Sequence, residues 1–66
     1  MIAFEVKDMT CGHCVSTITR AVQAADPQAT VRIDLATHRV DIVPGQADVA
    51  TLSHALEEAG FTPVAL

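Results

Sequence analysis

The first residues alternate. In "IAFEVK", Ile2, Phe4 and Val6 fall on one side and Ala3, Glu5 and Lys7 on the other, the period of a half-buried strand. From Val15 the spacing changes: Val15, Ile18, Val22 and Ala25 recur at three- and four-residue intervals, with Ser16, Arg20 and Gln23 off the stripe. That pattern predicts an amphipathic helix of about three turns, with Thr10 as its N-cap and "ADP" at Ala25 to Pro27 as its stop. "TVRIDLATHRVDIV" returns to alternation twice. Val31, Ile33 and Leu35 share one face of the first run, and Val40 and Ile42 one face of the second. The short "ATH" between them predicts an antiparallel hairpin. Asp48 then caps a second helix with a stripe of Val49, Leu52, Leu56 and Ala59, and Gly60 suits the left-handed position past its end. "FTPVAL" ends the chain as a short strand, placed at a sheet edge because Pro63 has no N–H for a ladder.

The predicted order is β-α-β-β-α-β. Both helices must bury their stripes, which puts them on one face of a four-stranded antiparallel sheet. The expected fold is therefore α+β, a two-layer ferredoxin-like sandwich, with residues 1–66 as a single domain. Such a fold hosts many activities, so function must come from a site.

Composition narrows the choices. Half the residues are apolar and 18% are charged, a globular balance. A net charge of −4, with no Trp or Tyr, argues against nucleic acid as a partner. No apolar run approaches the roughly 20 residues of a membrane span. "MIAFEVKDM" lacks a basic segment followed by an apolar one, so no signal peptide is read, and Met1 is taken as a natural start. The expected location is the cytoplasm, where a cysteine pair stays reduced and serves metal binding or catalysis rather than structure.

That pair is Cys11 and Cys14 in "DMTCGHCV", at the handover from first strand to first helix. Cys11 is expected in the loop and Cys14 in the first helical turn, where unpaired N–H groups and the positive end of the helix dipole favour thiolates. Two converging soft thiolates suit Cu(I); mercury or cadmium ions would bind them as well. A structural zinc site wants four ligands, and His38 and His54 lie too far along the chain to supply them as a pair. Both are read as surface residues. Haem attachment is excluded because Val15, not His, follows Cys14. C-G-H-C also resembles the active site of thiol–disulfide oxidoreductases. Against that alternative stand the short chain, the absence of aromatic residues just before the pair, and a different expected topology.

"MTCGHC" after an alternating strand, "VRIDLATHRVDI" and "EEAGF" together resemble the heavy-metal-associated domain family over essentially the whole chain. The family includes bacterial copper chaperones, soluble modules of copper-transporting P-type ATPases, and mercury-binding proteins. The resemblance implies a copper chaperone, not an enzyme, that binds one Cu(I) near-linearly through Cys11 and Cys14. It implies delivery to a copper-transporting P-type ATPase by thiolate exchange, with a metal-binding module of such an ATPase, or a carrier for mercury or another soft metal, as the alternative. It places Met9 inward beneath the loop, and Phe61 where relatives carry Tyr or Lys near the metal. Asp8 departs from the family's usual Gly: it adds negative charge near the thiolates, or bonds a loop N–H. His13 is read either as solvent-facing or as an accessory ligand, including across a metal-bridged homodimer. The acidic balance suggests docking on a basic patch of the recipient, with Lys7 and Arg20 near the site end available to set orientation.

Overall fold

The alternating first segment becomes a central strand of the sheet in the computed structural model, which describes residues 1–66. The elements are β1 (Ile2–Val6), α1 (Gly12–Ala25), β2 (Thr30–Asp34), β3 (Arg39–Val43), α2 (Val49–Glu58) and β4 (Pro63–Ala65). The strand order is β2-β3-β1-β4, all neighbours antiparallel. This is the ferredoxin-like α+β sandwich expected from the pattern. Pro63 lies on edge strand β4, opposite Val6, where its missing N–H costs no ladder bond in the sheet interior.

Alternation decides which side chains meet. Phe4 and Val6 of β1 and Val40 and Ile42 of β3 are fully buried, as are Ile18 and Val22 of α1 and Leu52 and Leu56 of α2. Together with Met9 and Ala29 they form one core cluster, flanked by the half-buried Ile2, Val31 and Ile33. Burying each large apolar side chain contributes roughly 1.5–3 kcal/mol. The helices lie side by side, α1 towards β2 and α2 towards β4.

Several expectations fail at element ends. β2 stops at Asp34, whose Oδ1 accepts the Ala36 N–H at 2.9 Å, so Leu35 starts the turn and is exposed instead of continuing the face of Val31 and Ile33. Ala25 and Val49, at the tips of the helical stripes, are exposed because the core ends before they do. Only residues 63–65 of "FTPVAL" pair as a strand. Asp48 does cap α2, its Oδ1 accepting from Thr51 N–H at 2.9 Å.

The registers define two poles. Val6 faces Pro63 and Glu5 faces Arg39, so the loops at 7–11, 35–38 and 59–62 gather at one end. Ile2 faces Ile42 and Thr30 faces Val43, which sends the end of α1 and the 44–48 loop to the other. At that far pole Asp26, only 3% exposed, accepts N–H bonds from Gly45, Gln46 and Ala47 at 2.8, 2.9 and 3.0 Å through Oδ2. Its Oδ1 accepts from Gln28 at 3.3 Å. The carboxylate fastens the end of α1 to the loop before α2.

Candidate metal centre

The cysteine loop is built in short steps from the end of β1. Met9 N–H bonds Val6 C=O at 3.2 Å and closes a turn around Lys7 and Asp8. Asp8 is not in the left-handed region, so this turn makes no demand for glycine there. Its carboxylate instead accepts the Thr62 N–H at 3.3 Å, tying the cysteine loop to the segment before β4. The bond to a loop N–H, one of the two readings of Asp8, is present. Met9 is fully buried under the loop, within the core cluster.

α1 starts one residue later than Thr10 would have it. Cys11 is the N-cap, in extended conformation (φ −154°, ψ 173°), and no side chain caps the helix. Thr10 stays outside because the chain is still extended at Cys11. The result is a helix start at the cysteine loop whose first N–H groups are not taken up by a capping hydroxyl. Cys11 is exposed, while Cys14, in the first turn, is half-buried with its inner side against the core.

The two Sγ atoms lie 3.7 Å apart as free thiols, well beyond the roughly 2.05 Å of a disulfide. Hydrogen bonding from the Thr10 backbone, then from the Cys11 backbone, holds the Cys14 thiol below its ordinary range, against the opposing effect of burial. No third His, Cys, Asp or Glu joins the pair. His13 is exposed; its backbone carbonyl accepts the Thr17 hydroxyl at 3.0 Å, and its ring is not gathered with the sulfurs.

Phe61 reaches this pole through the end of α2. Gly60, at φ +95°, donates to Glu57 C=O at 3.0 Å, and Phe61 N–H donates to Leu56 C=O at 3.1 Å. This is the Schellman arrangement, which turns the residue after the glycine back onto the helix. Phe61 is half-buried and packs against the core. His54 is exposed as expected, 3.1 Å from Glu58 one turn on.

His38 is a correction. It is not a free surface residue: its ring Nδ1 lies 2.9 Å from Met9 C=O, and its own C=O accepts the Val6 N–H at 2.7 Å. The hairpin turn therefore leans on the cysteine loop. The hint was the strand register. With Glu5 opposite Arg39, the next residue back in the hairpin falls beside the end of β1. Asp26 was missed as well, because its partners lie 19 to 21 residues away.

Comparison with known proteins adds a family. The heavy-metal-associated domain matches residues 3–62. Copper-transporting ATPase 2 of Rhizobium meliloti (strain 1021) is 34% identical over 61 residues, which are 91% of this chain and 7% of the ATPase. The chain thus spans a small fraction of that relative. Among solved structures, a gold binding protein superposes with a TM-score of 0.93 at 38% identity, over 100% of both chains. The copper chaperone Atx1 from Synechocystis PCC6803, in a trimeric form, does so with a TM-score of 0.93 at 33% identity, covering 97% of this chain and 100% of Atx1.

Proposed function

The chain belongs to the heavy-metal-associated domain family, and on that premise we propose that it carries one Cu(I) between Cys11 and Cys14 and passes it to a copper-transporting P-type ATPase. The observation that carries this reading is the pair itself: two free, accessible sulfurs 3.7 Å apart with no third ligand beside them.

The donor set fits the cargo. Soft thiolates in low coordination favour Cu(I) over harder ions, and hydrogen bonding from the Thr10 and Cys11 backbones lowers the cost of deprotonating Cys14. Taking a metal–thiolate bond of about 2.3 Å, as for zinc, two such bonds in a straight line span about 4.6 Å. The sulfurs at 3.7 Å must then part by roughly 1 Å on loading. Cys11 is the mobile partner, exposed on the extended residue before the helix, while Cys14 is held against the core.

Release follows from the same exposure. A thiolate of the recipient attacks the bound ion, three sulfurs share it briefly, and one donor sulfur leaves as thiolate. Copper stays Cu(I) throughout and is never free, and no substrate is chemically transformed. Met9 supports the loop from beneath, and Phe61 shields the sulfurs without neutralising them. Asp8 acts through its bond to Thr62 N–H. The net charge of −4 favours a basic docking patch on the recipient. In this reading residues 1–66 act as one domain in the cytoplasm, where thiols stay reduced. His13 faces solvent in the monomer and is the residue available to a metal-bridged homodimer.

A gold binding protein of 38% identity supports a second reading, a carrier for another soft ion on the same thiolates. One experiment addresses both: anaerobic titration of the reduced protein with Cu(I) against a chromophoric chelator, repeated with Hg(II) and with Cys14→Ser. The expected result is tight uptake of one Cu(I) per chain, lost in the variant. Failure to compete with a weak chelator, together with insulin reduction, would favour the disulfide chemistry instead.

A further inference from the structure

We propose that His38 is the positioning residue of the metal loop, fixing the direction in which the chain leaves Met9 towards Cys11 through its bond to the Met9 carbonyl. The inference rests on the reading that Cys11 and Cys14 hold the ion.

His38 grips the turn before the cysteines at both ends. Its backbone C=O takes the Val6 N–H at 2.7 Å, at the start of the turn, and its ring lies 2.9 Å from the Met9 C=O, at the close. A carbonyl can only accept, so Nδ1 carries the hydrogen and donates. The Met9 side chain is meanwhile locked in the core. With side chain and carbonyl both held, the peptide plane after Met9 has one orientation, and only Thr10 separates it from Cys11. Cys14 is placed independently by α1. Cys11 is tied to that helix by its C=O, which accepts the Val15 N–H at 3.3 Å. The position of its sulfur relative to that of Cys14 therefore depends on this bond on one side and, on the other, on the exit from Met9, set by a residue 29 positions away.

The backbone of His38 makes the idea separable from a mere turn preference. It is the only non-glycine residue at positive φ, +54°. Histidine tolerates that region better than most residues, but glycine occupies it freely. His38→Gly therefore relaxes the turn while removing the donor, so effects on the fold and on the loop have opposite signs. His38→Asn keeps both a tolerated backbone and a side-chain N–H donor.

The test compares wild type, His38→Gly and His38→Asn by amide hydrogen exchange at residues 10–14 of the reduced, metal-free protein, by thermal midpoint, and by Cu(I) competition titration. His38→Gly is expected to leave the midpoint unchanged or higher, to speed loop exchange about fivefold, and to weaken Cu(I) binding about fivefold, the equivalent of one ordinary net hydrogen bond. His38→Asn should restore both towards wild type. Loop exchange or Cu(I) affinity unchanged in His38→Gly would overturn the proposal. So would a fall in midpoint matching the loop effect, or a His38→Asn protein no better than His38→Gly. If wild type binds no Cu(I), the carrier reading fails, and loop exchange alone still judges the grip of His38 on Met9.

Discussion

The two poles of this molecule solve opposite problems with the same kind of element. At the far pole, the end of α1 presents a carboxylate, Asp26, and buries it under four backbone N–H groups. At the site pole, the start of α1 presents two sulfurs and leaves them accessible, with no side chain spent on capping. Asp26 can be immovable because it has nothing to exchange. As the proposed carrier site, Cys11 and Cys14 must give up what they hold, so rigidity is moved to their supports: Met9 below, His38 on one flank, and the Asp8–Thr62 bond on the other. In the proposed function, stability and metal exchange are thus separated between the two poles of a very small domain.

The sharpest way to break that separation is to alter one pole and read out both properties. Cys14→Ser should remove Cu(I) binding by orders of magnitude while leaving the thermal midpoint nearly where it was; titration and calorimetry on one preparation check both. Met9→Ala, at the boundary, empties a fully buried site and should cost about 2–5 kcal/mol of stability in denaturant unfolding. Some Cu(I) affinity should survive, because both sulfurs remain.

Glycines report smaller effects at each pole. A Cβ on Gly45 would meet Gln28 Cβ at 2.5 Å and Asp26 Oδ1 at 2.8 Å, so Gly45→Ala should cost about 1–3 kcal/mol and leave Cu(I) affinity intact. Gly60→Ala meets no atom but must hold φ near +95°, at about 1–2 kcal/mol. It also shifts Phe61, so copper transfer rates should change with it and not with Gly45→Ala.

Titration makes the gentlest comparison. Bonds from Ala47, Gln46, Gly45 and Gln28 N–H, in that order of effect, lower the Asp26 pKa despite its burial. A carboxylate depressed in the folded state contributes stability fully above its unfolded pKa of about 3.9 and loses it as pH falls through the lower folded value. Denaturant midpoints of wild type should therefore hold near neutrality and drop in acid, with a shallower acid limb in Asp26→Asn. At the other pole, alkylation of Cys14 should reach half its limiting rate at a lower pH than an ordinary thiol, because the Thr10 and Cys11 backbones favour the thiolate.

What was legible in the sequence is local. Alternation located the strands, the helical stripes found Ile18, Val22, Leu52 and Leu56, and Asp48 and Gly60 marked the ends of α2, because each of these signals depends on neighbours within a few residues. The cysteine spacing exposed the candidate site for the same reason. Thr10 failed as a cap because hydroxyl preference says nothing about where the chain turns helical; Cys11 is still extended. His38 and Asp26 were unreadable for a different reason. Their partners, Met9 and Gly45 to Ala47, come close only once the sheet register and the end of α1 are fixed. A polar residue in a turn looks like surface until its opposite loop is known.

In the proposed function two sulfurs alone hold the ion while the rest of this pole holds the sulfurs. Copper-edge X-ray absorption on reduced protein, loaded anaerobically with one Cu(I) per chain and kept monomeric, tests it most directly. The expected spectrum shows two sulfur neighbours and no nitrogen or oxygen. A nitrogen neighbour, or an unchanged spectrum from Cys14→Ser, would contradict it.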